Sequence, residues 1–281
     1  MLITSYRVYN QMLAKMDQWG YGTCAELHEW GRGVDLEIFS PERRSQAFRE
    51  SKNVRDTDVV VIWVGRLVPE KRPDIWLNTV KRLQAEGLPV KALVVGNGTY
   101  EKTLAQLKDV TCCGWLSGVA LAEAYASSDV MLFPSDVETF GNVTLEALSS
   151  GCPCVIEEKC GGHLVPDGVN GFTCPAGDFE AFYQATKRIV QDAALRKEMS
   201  EKAREGSWNF ERTKIMQQML ENYKVITHIE ILFYLSETIF YNCALFRHLC
   251  FSMEIPTKEE KKEGSFNSAA LVHIITHHYI F

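Results

Sequence analysis

The sequence lacks an excess of positive charge. Its 281 residues carry 30 Lys and Arg against 36 Asp and Glu, a formal net charge of −6. No segment gathers a basic stripe, so the electrostatic footprint of a nucleic-acid binder is missing and no nucleic-acid partner is expected. The opening run MLITSYRVYNQMLAKMDQWG has no long apolar stretch and no small-residue cleavage site, so no signal peptide is read. The nine cysteines make no disulfide framework: the count is odd, and Cys112, Cys113 and Cys154 sit inside apolar runs where a thiol behaves as a small buried hydrophobe. That composition fits a reducing compartment. Cys152-x-Cys154-x5-Cys160-x2-His163 matches no common structural zinc spacing, and no metal site is expected. Gly96-x-Gly98 lacks the third glycine and the acidic residue of a dinucleotide fingerprint, which speaks against NAD binding. Internal repeats and low-complexity tracts are absent as well.

What is present is an alternation of short apolar runs with amphipathic stretches. Val59–Val64, Val90–Val95, Val110–Cys113, Val130–Phe133 and Pro153–Ile156 are rich in β-branched residues and bounded by Gly, Pro or Asp. Such runs fit strands covered on both faces. Between them Pro73–Glu86, Tyr100–Lys108, Val119–Ser127 and Asn142–Ser149 carry helical periodicity, with Pro73 just inside one start and Gly151 just past one end. This βαβα series predicts an α/β fold, a doubly wound parallel sheet that binds ligand at the carboxyl ends of its strands. Only helices are expected after Asp178: 178–192, 194–205 and 210–226. The aromatics Trp63, Trp76 and Trp115 are read as core.

Two segments follow predicted strand ends. Gly65-Arg66-Leu-Val-Pro-Glu-Lys71 places two cations five residues apart on a loop. Arg can fork onto phosphate oxygens and Lys can act as a point charge, although a solvated basic loop reads equally well in isolation. Glu138-Thr-Phe140-Gly141-Asn142-Val143-Thr-Leu-Glu146 follows the run VMLF. Gly141 lets backbone approach a ligand, and the helix starting there offers free amides and its positive end to a phosphate. Glu146, one turn in, can accept from vicinal hydroxyls, and Glu138 faces a different part of the ligand. Two glutamates so spaced are ordinarily just solvated; it is the surroundings that make them specific.

Those surroundings resemble glycosyltransferase family 4. Gly33-Val-Asp35-x3-Phe39-x-Pro41, Gly65-Arg66-x4-Lys71, Gly96-x-Gly98, Tyr125-x3-Asp129-Val-x-Leu-x-Pro134-Ser135 and Glu138-x-Phe-Gly-x4-Glu146-Ala-x3-Gly151-x-Pro153 occur in the family's order, followed by Gly161-Gly162 and Asp167-Gly-x-Asn-Gly171. The match runs from about Trp30 to Tyr223. It implies the Rossmann-like C-terminal half of a GT-B glycosyltransferase, an enzyme that takes a sugar from a nucleotide-diphosphate sugar (a UDP-sugar is expected) with retention of anomeric configuration and no cofactor or metal. By the same resemblance Arg66 and Lys71 neutralise the leaving diphosphate, Glu138 holds the transferred sugar and Glu146 the ribose. Gly65, Phe140, Gly141, Asn142 and Val143 line the donor, the last four through their backbone. Where the family carries Gly-Gly-x-Pro-Glu, this chain has Gly161-Gly162-His163-Leu-Val. That run and Trp30–Asp35 look closest to members that glycosylate lipids, sulfoquinovosyl synthases among them, which implies a lipid acceptor.

The expected division is 1–31, a remnant of an acceptor domain whose bulk is absent, with one helix over Ser5–Gln18; 32–224, the nucleotide-sugar-binding domain; and 225–281, an atypical helical tail. The tail's apolar run Ile231–Phe246 is shorter than the roughly 20 residues of a membrane span. It reads as a membrane-surface helix, a cover for surface left by the absent half, or an aberrant reading of a gene, and the last fits best with that absence. The sequons at Asn97 and Asn142 fall inside the donor site, which speaks for a cytoplasmic or stromal face, with peripheral membrane association. Two readings of function stay open: a transferase whose acceptor half comes from a partner chain, and a non-catalytic nucleotide-sugar-binding fragment or pseudoenzyme.

Overall fold

Apolar runs of four to six residues are too short for helices and too uniformly apolar for a sheet with one wet face. In the computed structural model they form six parallel strands: β1 Val59–Val64, β2 Val90–Val95, β3 Val110–Cys112, β4 Val130–Phe133, β5 Cys154–Glu157 and β6 Gly171–Cys174. Their order across the sheet is β3-β2-β1-β4-β5-β6, every pair parallel. Every residue of β1, β4 and β5 is buried, which explains why the three strands are apolar throughout except for Glu157 at the end of β5. The structure describes residues 31–223 apart from 106, 108 and 109, together with 2–3, 18 and 28–29. Leu2–Ile3 pairs in parallel with His28–Glu29. The helix expected over 5–18 and the tail beyond 223 lie outside the described residues, save residue 18.

Helices cover the sheet: α1 Gln46–Ser51, α2 Pro73–Ala85, α3 Glu101–Ala105, α4 Gly118–Ala126, α5 Asn142–Ser149, α6 Glu158–Gly161, α7 Phe179–Gln191 and α8 Ala193–Ser207, followed by a helical stretch over 212–223. In α2, Trp76, Val80 and Leu83 recur at helical spacing and are fully buried. Asp178 and Asp192 cap α7 and α8, accepting from Ala181 N at 3.0 Å and Leu195 N at 2.9 Å.

Three expectations are corrected. The strand β6 went unread because GFTC is short, lacks alternation and opens on a glycine. A Cβ on Gly171 would fall 1.9 Å from the Cys154 carbonyl oxygen, so the strand pairs only because no side chain stands there. Trp115 is 70% exposed, because Gly114 at φ 67° turns the chain off the sheet edge just before it. Trp63 and Trp76 are fully buried, as expected. Cys112 and Cys113 are only partly buried, since β3 is an edge strand, whereas Cys154 is fully buried.

One buried cation ties the lead-in to the sheet. The Arg49 guanidinium, 4% exposed, donates to the carbonyls of Ser127, Arg55 and Asp58 and to Asp129 Oδ2 at 3.1 Å. The same Asp129 oxygen accepts from Val60 N of β1 at 2.8 Å, and Oδ1 accepts from Arg44. Removing Arg49 strands several buried acceptors at once, so Arg49→Met should cost about 3 kcal/mol or more. Arg44, 45% exposed, should cost under about 1 kcal/mol as Arg44→Met. Urea unfolding of the two variants measures both. Equal losses would show that Arg49 is not the anchor.

Candidate functional site

The strand order reverses between β1 and β4: the chain leaves β1 toward β2 and leaves β4 toward β5. A crevice opens at such a point above the carboxyl ends of the two strands. Two loops meet there, residues 65–72 after β1 and 134–141 after β4. The first is held by Gly65 N donating to Val95 O at 3.0 Å and Leu67 N donating to Asn97 O at 2.9 Å. Gly96 must lack a side chain, because a Cβ would sit 2.0 Å from Gly65 O.

Across the crevice Lys71 Nζ meets Glu138 Oε1 at 2.5 Å and donates to Val137 O at 2.6 Å. Both side chains are largely buried, 13% and 18% exposed, so the pair is far less screened than a surface one. The ammonium also lies 5.9 Å from the centre of the Phe133 ring, and Ser135 Oγ lies 3.4 Å from Glu138 Oε1. Arg66 behaves differently. It is 67% exposed and pairs with Glu70 at 3.5 Å on its own loop. Of the two cations expected to act together, the structure brings only Lys71 to the carboxylate.

Helix α5 begins beside Glu138. Its N-cap is Gly141 at φ 93°, ψ 47°, a left-handed conformation that only glycine adopts without strain, and no side chain caps the helix start. The first amides of α5 are thereby left to a ligand, at the positive end of the helix. Phe140 is buried against His163 and Phe210, at ring separations of 5.1 and 6.2 Å, so only its backbone can face a ligand. Asn142 is exposed and Val143 half-buried.

Glu146 lies one turn into α5, half-buried, with the Tyr125 hydroxyl donating to its Oε2 at 3.4 Å. Burial pushes its carboxyl up to about 7, and the tyrosine hydrogen bond offsets that only in part. Tyr125 was legible only as a motif letter; its hydroxyl as the partner of Glu146 was not. The salt bridge from Arg72 to Asp136, beside Lys71 and Glu138, was likewise missed. A cavity of about 470 Å³ lined by Leu145, Leu148, Leu164 and Phe210 contains none of Lys71, Glu138 or Glu146. Among the described residues no three His, Cys, Asp or Glu side chains converge on a point. Also among them, no helix is long and apolar enough to cross a membrane.

Residues 58–192 match the family profile described as Glycosyl transferases group 1. The chain is 33% identical over 212 residues to the sulfoquinovosyl transferase SQD2 of Arabidopsis thaliana, covering 71% of this chain and 41% of that protein. It is 38% identical over 157 residues to a GDP-mannose-dependent alpha-mannosyltransferase of Mycobacterium tuberculosis, covering 55% of this chain and 40% of that protein. The chain thus spans about two-fifths of the length of these relatives. Its fold matches the sucrose-phosphate synthase of Thermosynechococcus elongatus with a TM-score of 0.67 at 23% identity, over 81% of this chain and 58% of that one. Anabaena HepE, solved with UDP and glucose, matches with a TM-score of 0.66 at 24% identity, over 79% and 62%. The six-stranded sheet with flanking helices is the α/β fold of these GT-B neighbours.

The raised carboxyl of Glu146 makes a pH prediction. The folded chain keeps this proton up to about pH 7, whereas the unfolded chain sheds it near the ordinary value of 4.5. Folding therefore binds a proton across that window, and stability falls as pH rises from 4.5 to 7 and is level above. Glu146→Gln should remove that slope while leaving the rest of the profile. Urea midpoints measured from pH 4.5 to 8 test it, and parallel curves for the two proteins would contradict the burial of this carboxyl.

Proposed function

Because the chain carries a glycosyltransferase group 1 domain over residues 58–192, we propose that it binds a nucleoside-diphosphate sugar at the β1–β4 crevice and transfers the sugar to an acceptor. The observation that carries this reading is the largely buried Lys71–Glu138 pair beside the uncapped start of α5. A diphosphate bears its charge where one fixed cation and a helix N-terminus converge. Lys71 lies close enough to stabilise the diphosphate as it departs, and the exposed Arg66 reaches its outer oxygens from the rim. Glu138, one side of Lys71, accepts from hydroxyls of the transferred sugar. Glu146, set deeper along α5, accepts from the ribose hydroxyls. This reading assigns the phosphate charge to Lys71, Arg66 and the helix rather than to a metal ion.

In the finer form of the proposal the transfer retains anomeric configuration. The bond from the anomeric carbon to the diphosphate oxygen breaks, and the acceptor oxygen bonds to the same face. The acceptor's proton passes to the departing diphosphate, so no protein nucleophile is needed. The acceptor in this form is a lipid, on the resemblance of the Trp30–Asp35 and Gly161–Val165 runs to lipid-glycosylating members. A nucleotide-sugar-binding chain without transferase activity would share every donor contact named here.

Calorimetry with UDP, GDP and ADP tests the donor site. Lys71→Ala should weaken the diphosphate that binds best by about 1.5–3 kcal/mol, the scale of a hydrogen bond to a charged group. The exposed Arg66→Ala should cost less, and chelator should change nothing. Unchanged binding by Lys71→Ala, or binding abolished by chelator, would refute the assignment. With the matching nucleotide sugar, Glu138→Ala should weaken only the sugar-bearing ligand, and Glu146→Ala both ligands alike. Equal losses for both ligands at Glu138 would mean that the two carboxylates are wrongly assigned.

A further inference from the structure

Arg72 follows Lys71 directly, and its side chain does something that ending one turn and starting α2 does not require. Its backbone lies at φ 56°, ψ 49°, in the left-handed region. Among the described residues only Asn53 shares a positive φ without being glycine, and asparagine tolerates that region where arginine does not. Strain of this kind persists where surrounding contacts fix the residue, and such positions cluster at functional sites. The contacts here are explicit. The guanidinium forks onto Asp74 in the first turn of α2, Nε to Oδ1 and Nη2 to Oδ2, both at 3.1 Å. Its remaining arm, Nη1, reaches Asp136 Oδ2 at 3.3 Å on the opposite loop. The other Asp136 oxygen is buried with no hydrogen-bond partner among the described atoms. The Asp136 carboxylate is therefore anchored through Arg72, and Glu138 stands two residues beyond it.

We propose that Arg72 is a positioning residue. It clamps the loop after β4 to the start of α2 and so sets the Glu138 carboxylate at the distance from Lys71 that the site needs. The inference rests on the reading of Lys71 and Glu138 as donor-binding groups only for its meaning in function; the clamp itself is a statement about geometry. One guanidinium bridges two elements that meet at the strand-order reversal. Asp74 fixes the plane of the fork, and the third contact is then aimed at Asp136 with little freedom, a geometry a lysine ammonium cannot reproduce. The left-handed backbone lets residue 72 end the turn that holds Lys71 while starting α2, with its side chain directed across the crevice. Without the clamp, the partly exposed Asp136 loses its cation while its Oδ1 stays buried and unpaired, so the loop shifts to bring that oxygen to water, carrying Glu138 away.

Substitution by glycine separates the two roles of the position, since Arg72→Gly keeps the left-handed backbone and relieves its strain while removing the guanidinium. The readout is the coupling between Lys71 and Glu138, measured as a double-mutant cycle of Lys71→Met and Glu138→Gln by urea unfolding of the full chain. With Arg72 present, the two substitutions should be non-additive by about fivefold or more in the unfolding equilibrium. With Arg72→Gly they should become additive, and Asp136→Asn, a second route to the same break, should do likewise. Combining Arg72→Gly with Asp136→Asn should do no more than either alone. Arg72→Lys, which keeps the charge, should fail to restore the coupling. A coupling that survives both Arg72→Gly and Asp136→Asn in folded protein overturns the proposal. Nucleotide affinity distinguishes this from failure of the functional reading: if Lys71→Met leaves UDP, GDP and ADP binding untouched, the donor site is wrong, while the coupling result still decides the role of Arg72.

Discussion

The constraint on which the site depends is the side-by-side, parallel placement of β1 and β4, from which the chain departs in opposite directions. Parallel strands cannot be joined by tight turns, so each must be followed by a crossover, and only at the reversal do two post-strand loops face one another with no helix wedged between them. The full burial of β1 and β4 makes that placement rigid. Asp129 reinforces it from the opposite end of the strands, binding the β1 amide of Val60 and the cations of Arg44 and Arg49 together. The floor of the crevice is fixed by the core, and its walls are fixed by hydrogen bonds between loops.

On that floor the chemistry is electrostatic. Lys71 and Glu138 pair where water has limited access, so their charges act at a low effective dielectric, and the open end of α5 adds a partial positive charge beside them. Glu146 lies deeper and is held by Tyr125, with its carboxyl raised by burial. Two carboxylates a short way apart on one segment thereby have different environments, one matched to a cation and one to a hydroxyl. That contrast follows from position alone: Glu138 precedes the helix and reaches across the crevice, while Glu146 is on the helix and turns toward α4.

Much of this was legible in the sequence, and what was not had physical reasons. The strands β1, β2 and β4 announce themselves because burial on both faces demands near-continuous apolar residues. The helix start at Gly141 is legible because the left-handed cap favours glycine. The strand β6 is not, because its first residue is chosen for what it lacks. The exposure of Trp115 is hidden for the converse reason: a large aromatic looks like core until a turn at Gly114 takes it off the sheet edge. Among the site residues, Lys71, Glu138 and Glu146 could be named, but not the divergence of Arg66 toward Glu70, since two cations on one loop can face either way. The Arg72–Asp136 bridge joins residues 64 positions apart and carries no local signature at all.

Where a nucleoside diphosphate lies is the most direct test of this site, and a crystal structure of the chain grown with the nucleoside diphosphate that it binds best would show it. The phosphates should lie at the carboxyl ends of β1 and β4, in contact with Lys71 Nζ and the first amides of α5, and the ribose against Glu146. Density instead in the cavity lined by Leu145, Leu164 and Phe210, with the Lys71–Glu138 pair undisturbed, would contradict it.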